Sequence, residues 1–298
     1  MLSCVILSNL FKLMIKSTVY YKKFANFYIP KDKFWGRYHK NRFETFNSLI
    51  PKKKQVILDF GCGSAENVIT LIRMGHQVVG IDPVIEMVDL GRKNLRQAKL
   101  NENIISLGGL TDLPKYKSNS FDIVASLNTL PYLTKNEEDF FFKQARRLIR
   151  GRGRIIVSQT NELIDLVTFN KYTVEFWNKK IIPYISKNSK EQKELLRIFS
   201  SHLTNYNIPK KNKHKISERD FIRKRRINPI SYPQDLLKRH RLRVEQMRFT
   251  HFYPMPPQFM ESSEKYRDRI FLFERKFKNH PLANIFASII MFSLKRIE

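Results

Sequence analysis

The stretch Val56-Ile-Leu-Asp-Phe-Gly-Cys-Gly-Ser-Ala-Glu-Asn-Val68 decides how this chain is read. An apolar run ends on Asp59 and Phe60, two glycines follow, and residues of helical spacing come next. This is a buried strand turning tightly into a helix, with Gly61 and Gly63 where a ligand can approach the backbone. A plain strand-to-helix turn fits one glycine; it fits poorly with two glycines preceded by an acid. A dinucleotide site holds a pyrophosphate on the helix N-terminus and uses G-x-G-x-x-G. Here Glu66 stands in the third position and Asp59 lies nearby, and both repel phosphate. The loop suits a ligand with a cationic or zwitterionic part.

Outward from this loop, short apolar runs alternate with helical patterns. Strands are expected at Gln55–Phe60, Gln77–Ile81, Asn103–Leu107, Ser120–Leu127 and Arg154–Ser158. Helices are expected at Ala65–Met74, Ile85–Ala98 and Phe140–Ile149. Strands alternating with helices imply βαβ units and a parallel sheet, and right-handed crossovers make it doubly wound. Asp82 ends the second strand, nineteen positions after Gly63. An acid there accepts hydrogen bonds from a ribose diol. Asp82-Pro83 is also a good helix start, and the two roles are compatible.

These residues resemble the class I S-adenosylmethionine-dependent methyltransferases, in particular the small-molecule, type 11-like group that carries D-x-G-C-G after its first strand. The likeness covers roughly residues 34–160. Val56–Gly63 is similar to the first motif and Val79–Asp82 to the second. Gly109–Pro114 with Asn119–Val124 is similar to the third and fourth, and Arg150–Val157 to the glycine turn into the fifth strand. The resemblance implies a Rossmann-like seven-stranded α/β sheet and S-adenosyl-L-methionine as cofactor. It places Asp59, Gly61 and Gly63 at the methionine and ribose end and Asp82 on the ribose hydroxyls. Leu110 offers its backbone to adenine, and Leu127 and Asn128 flank the sulfonium. Gly109 departs from the pattern, since many members carry an acid there that accepts from the adenine amino group. Asp112 either replaces that acid or serves as a turn residue before Leu113-Pro114, the reading favoured here.

The flanks decide the acceptor. The chain divides into an N-terminal helical cap (1–50), a cofactor-binding core (51–160), a helical basic insertion (161–228) and C-terminal strands completing the sheet (229–298). The insertion is expected as a helical lid between the fifth and sixth strands, with helical spacing over Asn161–Phe176. The last strands are expected at Leu242–Tyr253 and Ile285–Leu294, the final one antiparallel beside the fifth. Asn228-Pro-Ile-Ser-Tyr232, His251-Phe-Tyr253 and Pro256-Pro257 are similar to short motifs of methyltransferases in bacterial glycan pathways. Methyl transfer relies chiefly on placing the acceptor, and a base helps where a hydroxyl must lose its proton. His251, then His39, are the candidate bases.

Composition bounds the partners. The 298 residues carry 55 Lys and Arg against 27 Asp and Glu, a net charge of +28. Residues 201–250 alone hold 14 basic and 4 acidic side chains, whereas residues 101–150 hold 7 and 6. Codon bias in an AT-rich genome enriches lysine, but it spreads more evenly than this. The clusters Lys210–Lys215 and Arg223–Arg226 read as a solvated loop, as a site for an anionic acceptor or lipid head group, or as an RNA contact. A small-molecule or glycan-like acceptor methylated on oxygen is the leading reading, and RNA is the runner-up. A non-catalytic scaffold is the third.

Two cysteines, Cys4 and Cys62, exclude a disulfide framework and a cysteine zinc site, and fit the cytoplasm. No run reaches the roughly 18 to 20 apolar residues that span a bilayer. Met1–Met14 lacks a basic start and a small-residue cleavage site, so it is not read as a secretory signal. Leu2, Ile6, Leu10 and Leu13 share one helical face, which packs on the protein or touches a membrane peripherally, unless Met14 is the true start.

Overall fold

A computed structural model describes residues 33–169, 171–203, 224–253 and 272–297. The expectations for Leu2–Leu13, Lys210–Lys215 and Pro256-Pro257 lie outside the described residues.

The apolar run before the glycines forms β1 (Val56–Phe60). Its parallel neighbours are β2 (Gln77–Asp82) and β4 (Phe121–Ser126), with Asp59 level with Gly80 and Ala125. The short β3 (Ile105–Leu107) extends the sheet beyond β2, and β5 (Ile149–Asn161) lies parallel beyond β4. The last strand, β8 (Ala287–Arg296), slots antiparallel between β5 and β7 (Leu242–Phe252). The order is β3-β2-β1-β4-β5-β8-β7, and the two-residue β6 (Arg226–Ile227) pairs with β5 off that path. Seven strands on one path match the expected sheet, and β6 is an addition at the end of the basic insertion.

Alternation along each strand builds two cores. Ile57, Ile123, Ile156 and Met291 face one way, and join Phe46 of α1 (Lys33–Asn47), Leu71 of α2 (Glu66–Arg73) and Leu95 of α3 (Ile85–Gln97). Leu58, Val124, Val157 and Phe292 face the other way, toward Phe141 and Phe142 of α4 (Lys135–Leu148). Period two in the strands and 3.6 in the helices therefore produces a sheet covered on both faces.

Several boundaries differ from expectation, each for a local reason. The α4 helix starts at Lys135, because Thr134 and Glu137 form a capping box: Glu137 Oε2 accepts from Thr134 N at 2.6 Å and Thr134 Oγ1 accepts from Glu137 N at 3.2 Å. The β5 strand includes the expected glycine turn; a Cβ on Gly153 would lie 2.9 Å from the Asp122 carbonyl oxygen, so the two strands approach closely there. It runs on to Asn161, whose side chain donates to the carbonyls of Asn284 and Ala287 at 2.7 Å each. The expected helix over Asn161–Phe176 is thus a strand end, a 3₁₀ turn (Leu163–Val167) and the short α5 (Lys171–Phe176). A π-helical turn (Trp177–Ile181), α6 (Ile182–Ile185) and α7 (Ser189–Leu203) follow. Ile285 and Phe286 belong to α9 (Ala283–Phe286) rather than to the last strand, and α8 (Tyr232–His240) precedes β7.

Candidate functional site

A cavity of about 120 Å3 opens at the C-terminal ends of β1, β2 and β4. The seven residues singled out from the sequence, Asp59, Gly61, Gly63, Asp82, Leu110, Leu127 and Asn128, all line it. They come from four separate places in the chain, and the parallel register brings them together.

The loop after β1 is built for close approach. The N–H groups of Gly61 and Cys62 both donate to the Ile81 carbonyl, at 2.8 and 3.1 Å. Gly61 takes φ +77°, and a Cβ there would stand 2.0 Å from Thr129 Oγ1, so no side chain fits. Gly63 takes φ +52°. Ala65, fully buried, also lies in the left-handed region at φ +63°, a conformation that favours glycine.

Asp82 ties the loop to the next strand. Its Oδ2 accepts from Gly63 N and its Oδ1 from Val84 N, each at 2.9 Å. The helix-start role is therefore present, and each oxygen retains a lone pair for a further donor. Asp59 is buried and accepts from Asn67 Nδ2 at 3.3 Å, while Asn67 Oδ1 is buried with no partner. Burial pushes the Asp59 carboxyl up to about 6, with the nearby Asp82 charge adding to the rise. Burial likewise lifts Asp82 to about 6, against the two backbone donors that favour its charged form. Glu66 lines the same cavity and is raised by burial. Arg42 is the one cation among the described lining residues. Three acids against one guanidinium favour a ligand with positive charge and hydrogen-bond donors over a pyrophosphate.

The remaining motif residues hold the frame. Asp112 Oδ2 accepts from Gly109 N at 2.8 Å and its Oδ1 pairs with Lys115 at 2.6 Å, so Asp112 is a turn residue and lies outside the cavity lining. This turn presents Leu110, buried, to the cavity. Asp122 accepts from Val56 N at 2.8 Å and from Arg150 at 2.8 Å, which fixes where β1 begins beside β4. Asn128 takes φ +59°, and its N–H donates to Ser158 Oγ at 2.7 Å.

The two candidate histidines are not brought to this cavity's lining. His39 lies on α1 and its Nδ1 accepts from Arg42 Nη2 at 3.0 Å; burial, then the Arg42 charge, holds it down to about 4. His251, near the end of β7, has φ +59°, and its carbonyl accepts from Ser288 Oγ at 3.0 Å. Sequence reasoning missed Arg42 and Phe43, which α1 carries to the rim, along with Asn67, Thr129 and Tyr132. Asn67 carried a usable signal, since it lies in the first helical turn after the glycines and eight residues from Asp59. A second cavity, of about 310 Å3, shares Tyr132 and Leu133 with the first and is walled by charged residues of the insertion.

Residues 57–153 match the family model of a methyltransferase domain. A ubiquinone biosynthesis O-methyltransferase of Pelagibacter ubique is 26% identical over 129 residues, 43% of this chain and 51% of that protein. An uncharacterized methyltransferase of Anoxybacillus flavithermus is 26% identical over 119 residues, 40% of this chain and 53% of that protein. The chain spans about half the length of these curated relatives. Among solved structures, a SAM-dependent methyltransferase of Thermotoga maritima, described as a possible histamine N-methyltransferase, has a similar fold at 14% identity. The TM-score is 0.51, with 93% of this chain and 99% of that one covered.

Proposed function

We propose, from the premise that residues 57–153 are a class I methyltransferase domain, that this chain moves a methyl group from S-adenosylmethionine to a small-molecule or glycan-like acceptor. The observation that carries the reading is the single cavity that joins the glycine loop, the Asp82 carboxylate and the Leu110 turn. The residues fit the cofactor: a loop too tight for a Cβ at Gly61, an orphaned Asn67 Oδ1, and acids whose burial makes a cationic partner welcome. When bound, the cofactor supplies a methyl carbon already activated by its sulfonium.

The chain's own residues position and exclude. Asp82 offers its remaining lone pairs to a ribose diol, and Asp59 with Glu66 sets a negative potential for the cationic end. Leu110 and Leu127 provide apolar walls, and Asn128 and Thr129 bound the side from which an acceptor approaches. Much of the rate comes from holding the acceptor in line with the methyl carbon. The neutral hydrogen-bonding groups of Asn128, Thr129 and Tyr132 support an acceptor hydroxyl, hence transfer to oxygen. RNA draws less support, because Arg225 and Arg226 turn inward onto Glu138 and Asp165.

Calorimetric titration of S-adenosylmethionine and S-adenosylhomocysteine tests the reading. Binding to the folded protein is expected, and Asp82→Ala should weaken it by about 1 to 3 kcal/mol through lost charge-assisted hydrogen bonds. Absence of binding by the folded wild-type protein would overturn the cofactor. An unchanged affinity in folded Asp82→Ala would overturn the ribose role. With labelled donor, product methyl on nitrogen or carbon alone would overturn transfer to oxygen.

A further inference from the structure

The second cavity lies where the basic insertion meets the turn after β4, and its charges do not balance. Lys180 pairs with Glu162 at 2.8 Å and Lys179 with Glu175 at 3.7 Å. Arg226 pairs with Asp165, and Arg225 with the buried Glu138 at 2.5 Å. Each described carboxylate lining this cavity thus has its own cation. Lys224 is left over: among the described residues it makes no ion pair and no hydrogen bond, only a contact of Nζ with the Tyr132 ring, 5.3 Å from its centroid. Among the described residues, the charges acting on it are those of Arg42 and Arg226, both positive.

The position of Lys224 is imposed by its neighbours. The Arg225 N–H donates to the Pro131 carbonyl at 2.6 Å, and Arg225 Nε donates to the Leu133 carbonyl at 3.3 Å. Immediately after, β6 adds to β5. These bonds clamp residues 224–227 against the turn that carries Tyr132, which lines both cavities. Lys224 is half-buried, and its ammonium, set beside two other cations with no counter-charge among the described residues, favours an incoming anion. Burial, reinforced by Arg42 and Arg226, holds Lys224 down to about 8, the direction expected of a cation lacking its anion.

We propose that the second cavity is the acceptor pocket and that Lys224 selects acceptors carrying an oxyanion, a carboxylate or a phosphate monoester, docked beside Tyr132. This rests on the methyltransferase reading for the word acceptor, but not for the anion site itself. Tyr132 gives the geometry its purpose: an oxyanion on Lys224 leaves the rest of a small acceptor facing the first cavity across a shared wall.

The test follows the Lys224 ammonium directly. NMR of the side-chain Cε and Nζ nuclei is recorded against pH on the full chain, the signal being assigned by its loss in Lys224→Gln or Lys224→Arg. Inorganic phosphate is added, then acetate, each compared with sodium chloride at equal ionic strength. Phosphate or acetate should raise the titration midpoint from about 8 by about one unit, and chloride should not. A midpoint unmoved by both oxyanions overturns the proposal. A shift with phosphate alone assigns a phosphorylated acceptor, and a shift with both admits a carboxylate. Lys179→Gln removes a cation already paired with Glu175 and should leave the shift intact; loss of the shift in that variant would mean diffuse attraction and overturn a specific site. S-adenosylhomocysteine is titrated in parallel. Failure of that binding overturns the methyltransferase reading while the Lys224 shift is still read.

Discussion

Asp59 lies two residues before Gly61 on β1 and Asp82 ends the neighbouring β2, and both are buried acids lifted from the usual 3.8 to about 6. The folded protein therefore binds more protons than the unfolded chain between about pH 4 and pH 6. Stability from these groups is fully present below the unfolded value and is lost as pH rises through 6. Asp59→Asn keeps the shape and the acceptor for Asn67 but cannot ionise. It should stabilise the ligand-free protein at pH 7.5 by about 1 to 3 kcal/mol and change little at pH 4. Urea unfolding at the two pH values measures this; equal effects at both would contradict the assignment. A site held in this unfavourable charge state without ligand is what a cationic cofactor relieves.

At the scale of elements, the buried Glu138 shows how helices and strands are locked. Its Oε1 accepts from Gln159 Nε2 of β5 at 2.5 Å and from the Tyr232 hydroxyl of α8 at 2.7 Å, with Arg225 alongside. Gln159 Nε2 also donates to the Tyr232 oxygen at 3.0 Å. One carboxylate thus joins α4, β5, α8 and the segment leading into β6. Tyr232 is the aromatic of the Asn228-Pro-Ile-Ser-Tyr232 motif, so that motif's aromatic anchors this network instead of lining either cavity. Tyr232→Phe removes a donor from a buried carboxylate and should cost about 1 to 3 kcal/mol in urea unfolding. A cost under about 0.5 kcal/mol would show that Arg225 and Gln159 suffice.

At the scale of the molecule, the last strand is structural. The β8 strand pairs with β5 from Ile155↔Leu294 to Thr160↔Ile289, and with β7 along nearly its whole length. It contributes Ile290, Met291 and Phe292, all fully buried, to the two cores. Deleting residues 287–298 would expose the edge of β5 and strand β7. The deleted chain should lose cooperative unfolding and NMR dispersion, although residues 57–153 remain intact. A dispersed spectrum would show that the sheet stands without β8. Among the described residues no helix is long and apolar enough to cross a membrane.

The local order was legible from the residues alone. Alternation marked β1, β2 and β4 to within a residue, and the glycines with Asp59 and Asp82 marked the cavity, because backbone conformation and burial period are local properties. The capping box at Thr134 and Glu137 is equally local, yet the helix was expected only from Phe140 because its apolar spacing begins there. The rest depended on contacts between distant segments. Nothing in the sequence around Arg42 ties it to a cavity whose next lining residue after Phe43 is Asp59, and nothing near Lys224 reveals that Lys179, Lys180, Arg225 and Arg226 each have a carboxylate. Charge runs read as surface until pairing is known, since an ion pair forms wherever the fold brings two groups together, whatever their separation in sequence. The residues by themselves determined a doubly wound sheet with a cofactor-type loop. Only the tertiary structure decided which described cations at the second cavity carry a carboxylate, because the pairs of Lys180, Arg225 and Arg226 join segments far apart in the sequence, and it leaves Lys224 without one.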